Sequence, residues 1–195
     1  MQDISDIEQN DIDTINRFLP SDHSVVFVGM MGAGKSTVGR KVAFKLQRDF
    51  IDTDVEIENS AQLTISEIFS IYGEQYFRDI EQRIICRLLK ERVGVISIGG
   101  GAFMNETLRR SIAENGISIW LKADFETLMA RVHRHDHRPL LEQDDPEKVM
   151  RRLIDERYPI YGQSDITVNN SNNLAETTVG ETLSQMAHYV QTRYG

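Results

Sequence analysis

A cluster of glycines followed by a lysine and two hydroxyl residues lies in the segment GMMGAGKST, from Gly29 to Thr37. Its spacing fits the pattern Gly-x-x-x-x-Gly-Lys-Ser/Thr, in which glycines let backbone N–H groups turn onto phosphate oxygens. In such a loop Lys35 would reach the terminal phosphates and the Ser36 hydroxyl would lie on Mg²⁺. A flexible glycine turn before a helix is the alternative interpretation. The pattern therefore indicates a site for the phosphates of a nucleotide, and residues 29–36 are called the phosphate loop below.

Two carboxylates follow in the segment FIDTDVEIE, where Asp52 and Asp54 are two residues apart. At the end of an extended strand, residues with this spacing point the same way, so both carboxylates can face one site. Beside a phosphate loop, one could hold Mg²⁺ through water and the other could accept or orient a hydroxyl proton. The alternative is that both residues merely cap the next helix.

Further along, the segment FRDIE places Arg78 and Glu81 three residues apart on a predicted helix, a spacing that also fits an ordinary surface ion pair. The segment SIGGGAF contains the glycine triplet 99–101, which could bring backbone N–H groups against a ligand. A tight turn between strand and helix is the other interpretation of the triplet.

Three arginines complete the polar candidates: Arg131 and Arg138 bracket the segment RVHRHDHR, and Arg157 lies in DERYPIY. Each could equally be a solvated surface residue. The three histidines between the first two arginines are spaced by two, which does not place them on one helix face. No acidic residue or cysteine near them has metal-site spacing, so we expect no zinc site.

The elements that must position these residues follow from the apolar pattern. Short apolar runs alternate with helical stretches, which is typical of a parallel sheet with helices on both faces. The predicted strands are 25–28, 49–52, 93–98, 117–121 and 165–168. The predicted helices are 36–47, 64–91 with a break near Gly73, 105–115, 124–134, 146–157 and 174–192. Thr64 and Glu67 form a predicted capping box.

Composition bounds the organisation of the chain. At 195 residues we expect one domain at 24–195, preceded by an acidic N-terminal extension at 1–23 that is either a short helix ending before Pro20 or a frayed tail. The net charge of −8 argues against a nucleic-acid surface. The single cysteine, Cys86, is expected to pack in a helix. We expect no membrane span and no secretory signal, and hence a cytoplasmic protein.

Taken together and in order, the segments GMMGAGKST, FIDTD, FRDIE, GGG, RPLL and ERYPIY resemble the shikimate kinase family of P-loop kinases. The resemblance runs from about Val25 to Val168. It implies a three-layer α/β P-loop kinase fold with a five-stranded parallel sheet, a substrate-binding segment at about 54–82 and a lid at about 131–147. One departure is Ser97 and Ile98 before the glycine triplet, where the family commonly has Ala-Thr; the backbone role of the glycines is unaffected.

The resemblance implies transfer of the γ-phosphoryl group of ATP to the 3-hydroxyl of shikimate, with one Mg²⁺. The implied catalytic residues are Lys35, Asp54 and Arg138. The implied ATP-binding residues are Gly32, Ala33, Gly34, Lys35, Ser36, Thr37, Arg131 and Arg138. Shikimate would be bound by Asp54, Arg78, Gly99, Gly100, Gly101 and Arg157. Glu81 would orient Arg78, and Ser36 and Asp52 would hold the metal.

Other functions stay open on the residues alone. Gluconate also carries a carboxylate, so a gluconate kinase is one alternative, and a nucleoside monophosphate kinase is another. A GTPase would need an Asn-Lys-x-Asp guanine reader, and the closest segment, WLKAD, lacks the Asn. A non-catalytic ATP-binding module would also keep the phosphate loop. The resemblance implies a monomer that binds ATP and shikimate. We expect it to bind neither nucleic acid nor a membrane.

Overall fold

The structure is a computed structural model that describes residues 4–132, 145–171 and 174–195. Its centre is a sheet of five strands: β1 (Ser24–Val28), β2 (Asp49–Asp52), β3 (Gly94–Ser97), β4 (Gly116–Lys122) and β5 (Ile166–Asn169). The strands lie in the order β2-β3-β1-β4-β5, and every pair is parallel. The predicted parallel sheet is thus confirmed, and each strand boundary falls within one residue of its predicted position.

Burial along the strands follows their place in the sheet. The central strands β1 and β3 are buried at every position, whereas the edge strand β5 alternates between buried and exposed residues. A parallel sheet covered on both faces requires continuous apolar runs in its central strands, and VVFV within β1 supplies one. Because all five strands are parallel, their carboxyl ends lie at one edge of the sheet. Open α/β sheets bind ligands at this edge.

In the described part of the chain, eight α-helices surround the sheet. They are α1 (Ile4–Phe18), α2 (Lys35–Lys45), α3 (Thr53–Ala61), α4 (Ile65–Glu91), α5 (Glu106–Asn115), α6 (Phe125–Val132), α7 (Pro146–Tyr161) and α8 (Ala175–Tyr194). Helices α1 and α2 both pack against α8, while α4 packs against α5 and α6 against α7. The helix α3 was not among the predicted ones.

The long helix α4 contains both of its predicted features. The Thr64 hydroxyl accepts from the Glu67 N–H at 3.2 Å, and the Glu67 carboxylate accepts from the Thr64 N–H at 2.7 Å, so the capping box is present. Gly73 has φ 81° and ψ 172° and breaks the helix. A Cβ there would meet nothing within 4 Å, so the backbone angle rather than space requires glycine. Cys86 is half-buried and packs against the core.

Helix α7 runs past its predicted end. The predicted helix ended at 157, but the helix continues through Pro159 to Tyr161. Proline removes the hydrogen bond to the carbonyl of Asp155, and both residues lie on the exposed face, where water can satisfy that carbonyl. The helix then closes with the Gly162 N–H donating to the Tyr158 carbonyl at 2.9 Å. Its last turn therefore reaches the core.

The N-terminal segment forms a helix rather than a tail. Helix α1 packs against α8, and Ile15 is 0% and Leu19 4% exposed within the main hydrophobic core. Lys45 of α2 makes an ion pair with Glu8 of α1. The residues that the sequence assigned to an extension therefore contribute to the same core as the sheet. Among the described helices, none combines the length and apolar character needed to cross a membrane.

We expect Ile15→Ala to lower the free energy of unfolding by about 2–5 kcal/mol, because it removes a fully buried side chain from the contact between α1 and α8. Chemical denaturation of the full chain measures the change. Asn16→Ala, at the exposed neighbouring position, is the matched control and should stay within about 0.5 kcal/mol. Equal stability of the two variants would show that α1 does not belong to the cooperative core.

Candidate active site

A cleft of about 1050 Å³ opens at the carboxyl edge of the sheet, between the phosphate loop and the ends of β2 and β3. It is lined by nearly all the residues that the sequence predicts for the site: Gly32, Gly34, Lys35, Ser36, Thr37, Asp52, Asp54, Arg78, Glu81, Gly99, Gly100, Gly101, Arg131 and Arg157. Ala33 lies in the same loop and is fully buried. Arg138, and with it residues 133–144 of the predicted lid, lies outside the described residues.

The phosphate loop has the backbone of an anion site. Gly29, Gly32 and Gly34 have φ angles of 140°, 78° and 90°, which residues with a side chain rarely adopt. Gly34 precedes the first residue of α2, and no side chain in the described part of the chain caps this helix start. The first N–H groups of α2 and its positive dipole end thus point to the cleft, as phosphate binding requires.

Lys35 is held against its own loop. Its Nζ donates to the carbonyls of Gly29 at 2.9 Å and Met30 at 3.0 Å, and the side chain lines the cleft. The ammonium group therefore lies beside the place where the phosphates would bind.

Asp52 takes part in both of the arrangements that the sequence left open. One carboxylate oxygen accepts from the Asp54 N–H at 3.2 Å and caps α3, as the helix-capping interpretation predicts. The other accepts from the Ser36 hydroxyl at 2.7 Å, and the Ser97 hydroxyl lies 3.4 Å from the Ser36 hydroxyl. Capping and metal binding are therefore compatible at this residue.

The residues around Ser36 suit Mg²⁺. They offer hydroxyl and carboxylate oxygens, and Mg²⁺ commonly takes one or two protein ligands together with water and substrate phosphates. Within the described residues no group of three or more His, Cys, Asp or Glu side chains could hold a metal by itself. The donor set therefore fits a metal that arrives with a nucleotide rather than one held by the protein alone.

On the other side of the cleft, Arg78 and Glu81 form a partly buried ion pair. Arg78 donates to the Glu81 carboxylate at 2.7 Å and to Glu74 at 3.2 Å, and the Glu81 side chain is 1% exposed. Burial raises the pKa of Glu81 despite the nearby guanidinium. Burial acts to lower the pKa of Arg78, but its two carboxylate partners raise it overall. This pair is not the solvated surface pair of the alternative interpretation, because Glu81 lies inside the protein.

The glycine triplet packs directly against the polar side chains. A Cβ on Gly101 would lie 2.6 Å from the Arg78 Cζ, and one on Gly100 would lie 3.4 Å from an Arg157 guanidinium nitrogen. A Cβ on Gly99 would be 3.4 Å from an Asp54 carboxylate oxygen. The triplet thus allows two arginines and a carboxylate to approach one stretch of backbone.

Two residues of the site were missed by the sequence analysis. Tyr161 donates its hydroxyl to the Gly100 carbonyl, and burial raises its pKa although the nearby Arg157 guanidinium acts to lower it. Asn170, immediately after β5, is 3% exposed and donates to the Ala33 carbonyl at 2.7 Å. Tyr161 belongs to the segment ERYPIY, which could have drawn attention to it, whereas nothing local distinguishes Asn170 from its neighbouring asparagines.

Arg131 lies at the nucleotide side of the cleft. It donates to the Asn170 carbonyl at 3.2 Å and to the Gly32 carbonyl at 3.4 Å. Burial lowers its pKa, and Asp124 partly offsets this. The guanidinium is therefore positioned by backbone groups on both sides.

Comparison with known proteins decides the family. The sequence model of the shikimate kinase family matches residues 31–187. The chain belongs to the shikimate kinase family. Its relatives include the shikimate kinases of Bartonella henselae, 43% identical over 91% of this chain and 85% of the relative, and Mesorhizobium japonicum, 48% identical over 85% and 82%.

The solved structures agree with this family. The shikimate kinase from Acinetobacter baumannii, solved in complex with shikimate, superposes with a TM-score of 0.81 at 34% identity, covering 87% of this chain and 94% of that one. The resemblance noted in the sequence is confirmed. Membership of this family favours neither of two alternatives, a gluconate kinase and a non-catalytic ATP-binding module.

Proposed function

We propose that this member of the shikimate kinase family transfers the γ-phosphoryl group of ATP to the 3-hydroxyl of shikimate, giving shikimate 3-phosphate and ADP. The observation that carries the proposal is that a phosphate loop faces the same cleft as two arginines and a carboxylate gathered on a glycine triplet. The first set of groups suits the donor, and the second suits a small acceptor that bears a carboxylate and hydroxyls.

Arg78 and Arg157 would bind the carboxylate of shikimate. Their guanidinium groups approach Gly101 and Gly100, which are consecutive in the chain, so both cations converge on one small volume. A guanidinium fork matches a planar carboxylate with two parallel hydrogen bonds. Glu81 would keep Arg78 in this orientation through the 2.7 Å hydrogen bond. Backbone groups of the triplet from Gly99 onward would contact the ring.

Tyr161 would position the acceptor side without touching shikimate. Its hydroxyl donates to the Gly100 carbonyl and lies near the Arg157 guanidinium, so it holds a glycine of the triplet beside a carboxylate-binding arginine. Tyr161 is 0% exposed, and burial raises its pKa above the usual tyrosine value, which already lies well above neutral pH, so the phenol is protonated and can donate.

The nucleotide would lie along the phosphate loop. Backbone N–H groups of Gly32, Ala33 and Gly34, with Lys35 and Thr37, would bind its phosphates. Lys35 would exchange the two loop carbonyls for phosphate oxygens by rotation of its side chain. Arg131 would lie against adenine, and Arg138 would bring a further positive charge to the transferring group.

Ser36 and Asp52 would hold Mg²⁺, whose chemistry here is to neutralise charge on the phosphate oxygens. The hydrogen bond between the two side chains, 2.7 Å long, supports the assignment because it places both oxygens at one point beside the loop. Asp52 would act through water, since it also caps α3.

Asp54 would accept the proton of the shikimate 3-hydroxyl. The hydroxyl oxygen then forms a bond to the γ-phosphorus while the bond from that phosphorus to the ADP oxygen breaks. Asp54 suits this role because its carboxylate faces the glycine triplet beside Gly99 and is exposed to the cleft. The protein contributes mainly alignment and fixed positive charge, which stabilise a phosphoryl group in transit.

We infer further that the enzyme acts as a monomer in the cytoplasm. One chain supplies both the phosphate loop and the acceptor side of the cleft, so the described site needs no residue from a partner. ATP and Mg²⁺ are plentiful in the cytoplasm, and a single cysteine fits a compartment without disulfides.

The direct test of this function measures ADP release in the presence of ATP and Mg²⁺, with shikimate, gluconate and nucleoside monophosphates offered separately as acceptors. We expect strong stimulation by shikimate alone. Stimulation by gluconate instead, or ATP binding without stimulation by any acceptor, would contradict the proposed acceptor.

Asp54→Asn should lower kcat by at least about 100-fold, because an amide cannot accept the hydroxyl proton. ATP affinity, measured by calorimetry, should change by less than about twofold. The matched control is Asp49→Asn, at the exposed start of β2, the strand that leads to Asp54, and outside the cleft. Activity of the Asp54 variant within about threefold of the unaltered enzyme would remove Asp54 from the role of base.

Tyr161→Phe should raise the KM for shikimate about fivefold, the cost of one lost hydrogen bond, with little change in the KM for ATP. Tyr158→Phe is the matched control. It removes a half-buried hydroxyl of α7 that also donates to a backbone carbonyl, that of Ala123, and burial raises the pKa of Tyr158 to about 12. A similar rise in the KM for shikimate in both variants would show only general damage to the helix.

A further inference from the structure

Asn170 follows directly after β5, and its backbone N–H, its backbone carbonyl and both polar atoms of its side chain all make hydrogen bonds. Its N–H donates to the Lys122 carbonyl at 2.6 Å, and its side-chain carbonyl accepts from the Thr178 hydroxyl at 2.7 Å. Thr178, near the start of α8, is 0% exposed. Because the side-chain oxygen is taken by Thr178, the amide nitrogen must point the other way, toward the phosphate loop.

The partner of that amide is the Ala33 carbonyl, 2.7 Å away. A trans peptide unit is planar, and its C=O and N–H groups point in opposite directions. The unit that carries the Ala33 carbonyl also carries the N–H of Gly34. A side chain that holds this carbonyl on the buried side therefore holds the Gly34 N–H on the cleft side.

Gly34 and Asn170 are closely matched. A Cβ on Gly34 would lie 2.9 Å from the Asn170 amide nitrogen, so this amide packs on the loop at a distance that only glycine permits. Gly34 is also the residue just before α2, where its N–H adds to the positive end of the helix. The contact thus acts where the phosphate loop joins the N-terminus of α2.

The backbone of Asn170 acts on a second nucleotide group. Its carbonyl accepts from Arg131 at 3.2 Å, and the same guanidinium reaches the Gly32 carbonyl at 3.4 Å. One buried residue therefore fixes the orientation of a peptide unit in the phosphate loop and the position of an arginine beside it.

We propose that Asn170 is a positioning residue for the nucleotide: its side-chain amide, oriented by Thr178, holds the Ala33 carbonyl so that the Gly34 N–H faces the phosphates. The inference rests on the proposed function, because it assumes that the loop binds the phosphates of ATP. Asn170 does not touch shikimate in this assignment. Its loss should therefore affect the donor and leave the acceptor alone.

The decisive comparison is between Asn170→Asp and Asn169→Asp. In the first variant a carboxylate oxygen replaces the donor and faces the Ala33 carbonyl at 2.7 Å, which reverses an attraction into a repulsion. The second introduces the same charge one residue away at an exposed position, where the Asn169 oxygen accepts from the Ser171 N–H and an aspartate can do the same.

Calorimetric titration with ATP measures the effect without turnover. We expect the Kd of ATP to rise about tenfold in Asn170→Asp and less than about twofold in Asn169→Asp, with the Kd of shikimate within about twofold in both. Thermal denaturation is recorded in parallel. A lower Tm with unchanged ATP affinity would overturn the inference, because it would leave Asn170 a purely structural role.

A second pair of variants separates orientation from charge. Thr178→Val removes the hydroxyl that orients the amide at nearly constant volume, and Thr178→Ser keeps the hydroxyl. We expect weaker ATP binding in the valine variant, by about threefold or more, and recovery in the serine variant. If only Asn170→Asp weakens ATP binding, charge alone is responsible and the positioning role is wrong.

The failure of this inference differs from a failure of the proposed function. An unaltered chain that binds ATP and phosphorylates shikimate, together with an Asn170 variant that binds ATP equally well, overturns the inference alone. An unaltered chain that does not bind ATP overturns both.

Discussion

The phosphate loop can serve an anion only if its backbone N–H groups point into the cleft, so its carbonyl groups must find donors elsewhere. The structure supplies these donors as side chains: carbonyls of the loop accept hydrogen bonds from Lys35, Arg131 and Asn170. Two of these donors come from segments far along the chain. The shape of the loop therefore depends on the assembled sheet and not on its glycines alone, because the glycines only make the conformation accessible.

The charges of the molecule are distributed to fit this loop. The chain as a whole carries a net charge of −8, whereas its cleft is lined by as many basic as acidic side chains: Lys35, Arg78, Arg131 and Arg157 against Asp52, Asp54, Glu58 and Glu81. Two anionic substrates can enter such a cleft only where positive charge is concentrated, and the buried Glu81 keeps one of these arginines in a fixed orientation. Groups held in place before the substrate arrives need little reorganisation during the reaction.

Much of this architecture could be predicted because its signals are local. The strands follow from short apolar runs, the start of α4 from Thr64 and Glu67, and its break from Gly73. The course of α7 through Pro159 could not be predicted from local rules, since it depends on the exposed position of the proline. The same holds for α1, whose amphipathic pattern does not say which surface will cover it.

The parts of the site that escaped prediction share a physical cause. Asn170 and Ala33 are 137 residues apart, and Tyr161 and Gly100 are 61 apart. Both contacts join a side chain to a backbone carbonyl, which every residue possesses and which leaves no mark in the sequence. Asp52 shows the converse case. Its two oxygens serve a helix cap and a serine of the phosphate loop, so a sequence pattern that suggests either role cannot exclude the other.

Direct packing of backbone on backbone would set the distance between the phosphoryl donor and the substrate that accepts the phosphoryl group. A Cβ on Gly100 would lie 3.4 Å from the Gly29 carbonyl oxygen, so no side chain separates the glycine triplet from the phosphate loop. The Tyr161 hydroxyl, which donates to the Gly100 carbonyl, also lies 3.8 Å from the sulfur of Met30 in that loop. Phosphoryl transfer requires reacting atoms to be aligned at roughly 3–3.5 Å. Because both substrates would rest on segments that touch each other and one buried tyrosine, a displacement of either segment would also displace the other, and the alignment would be preserved.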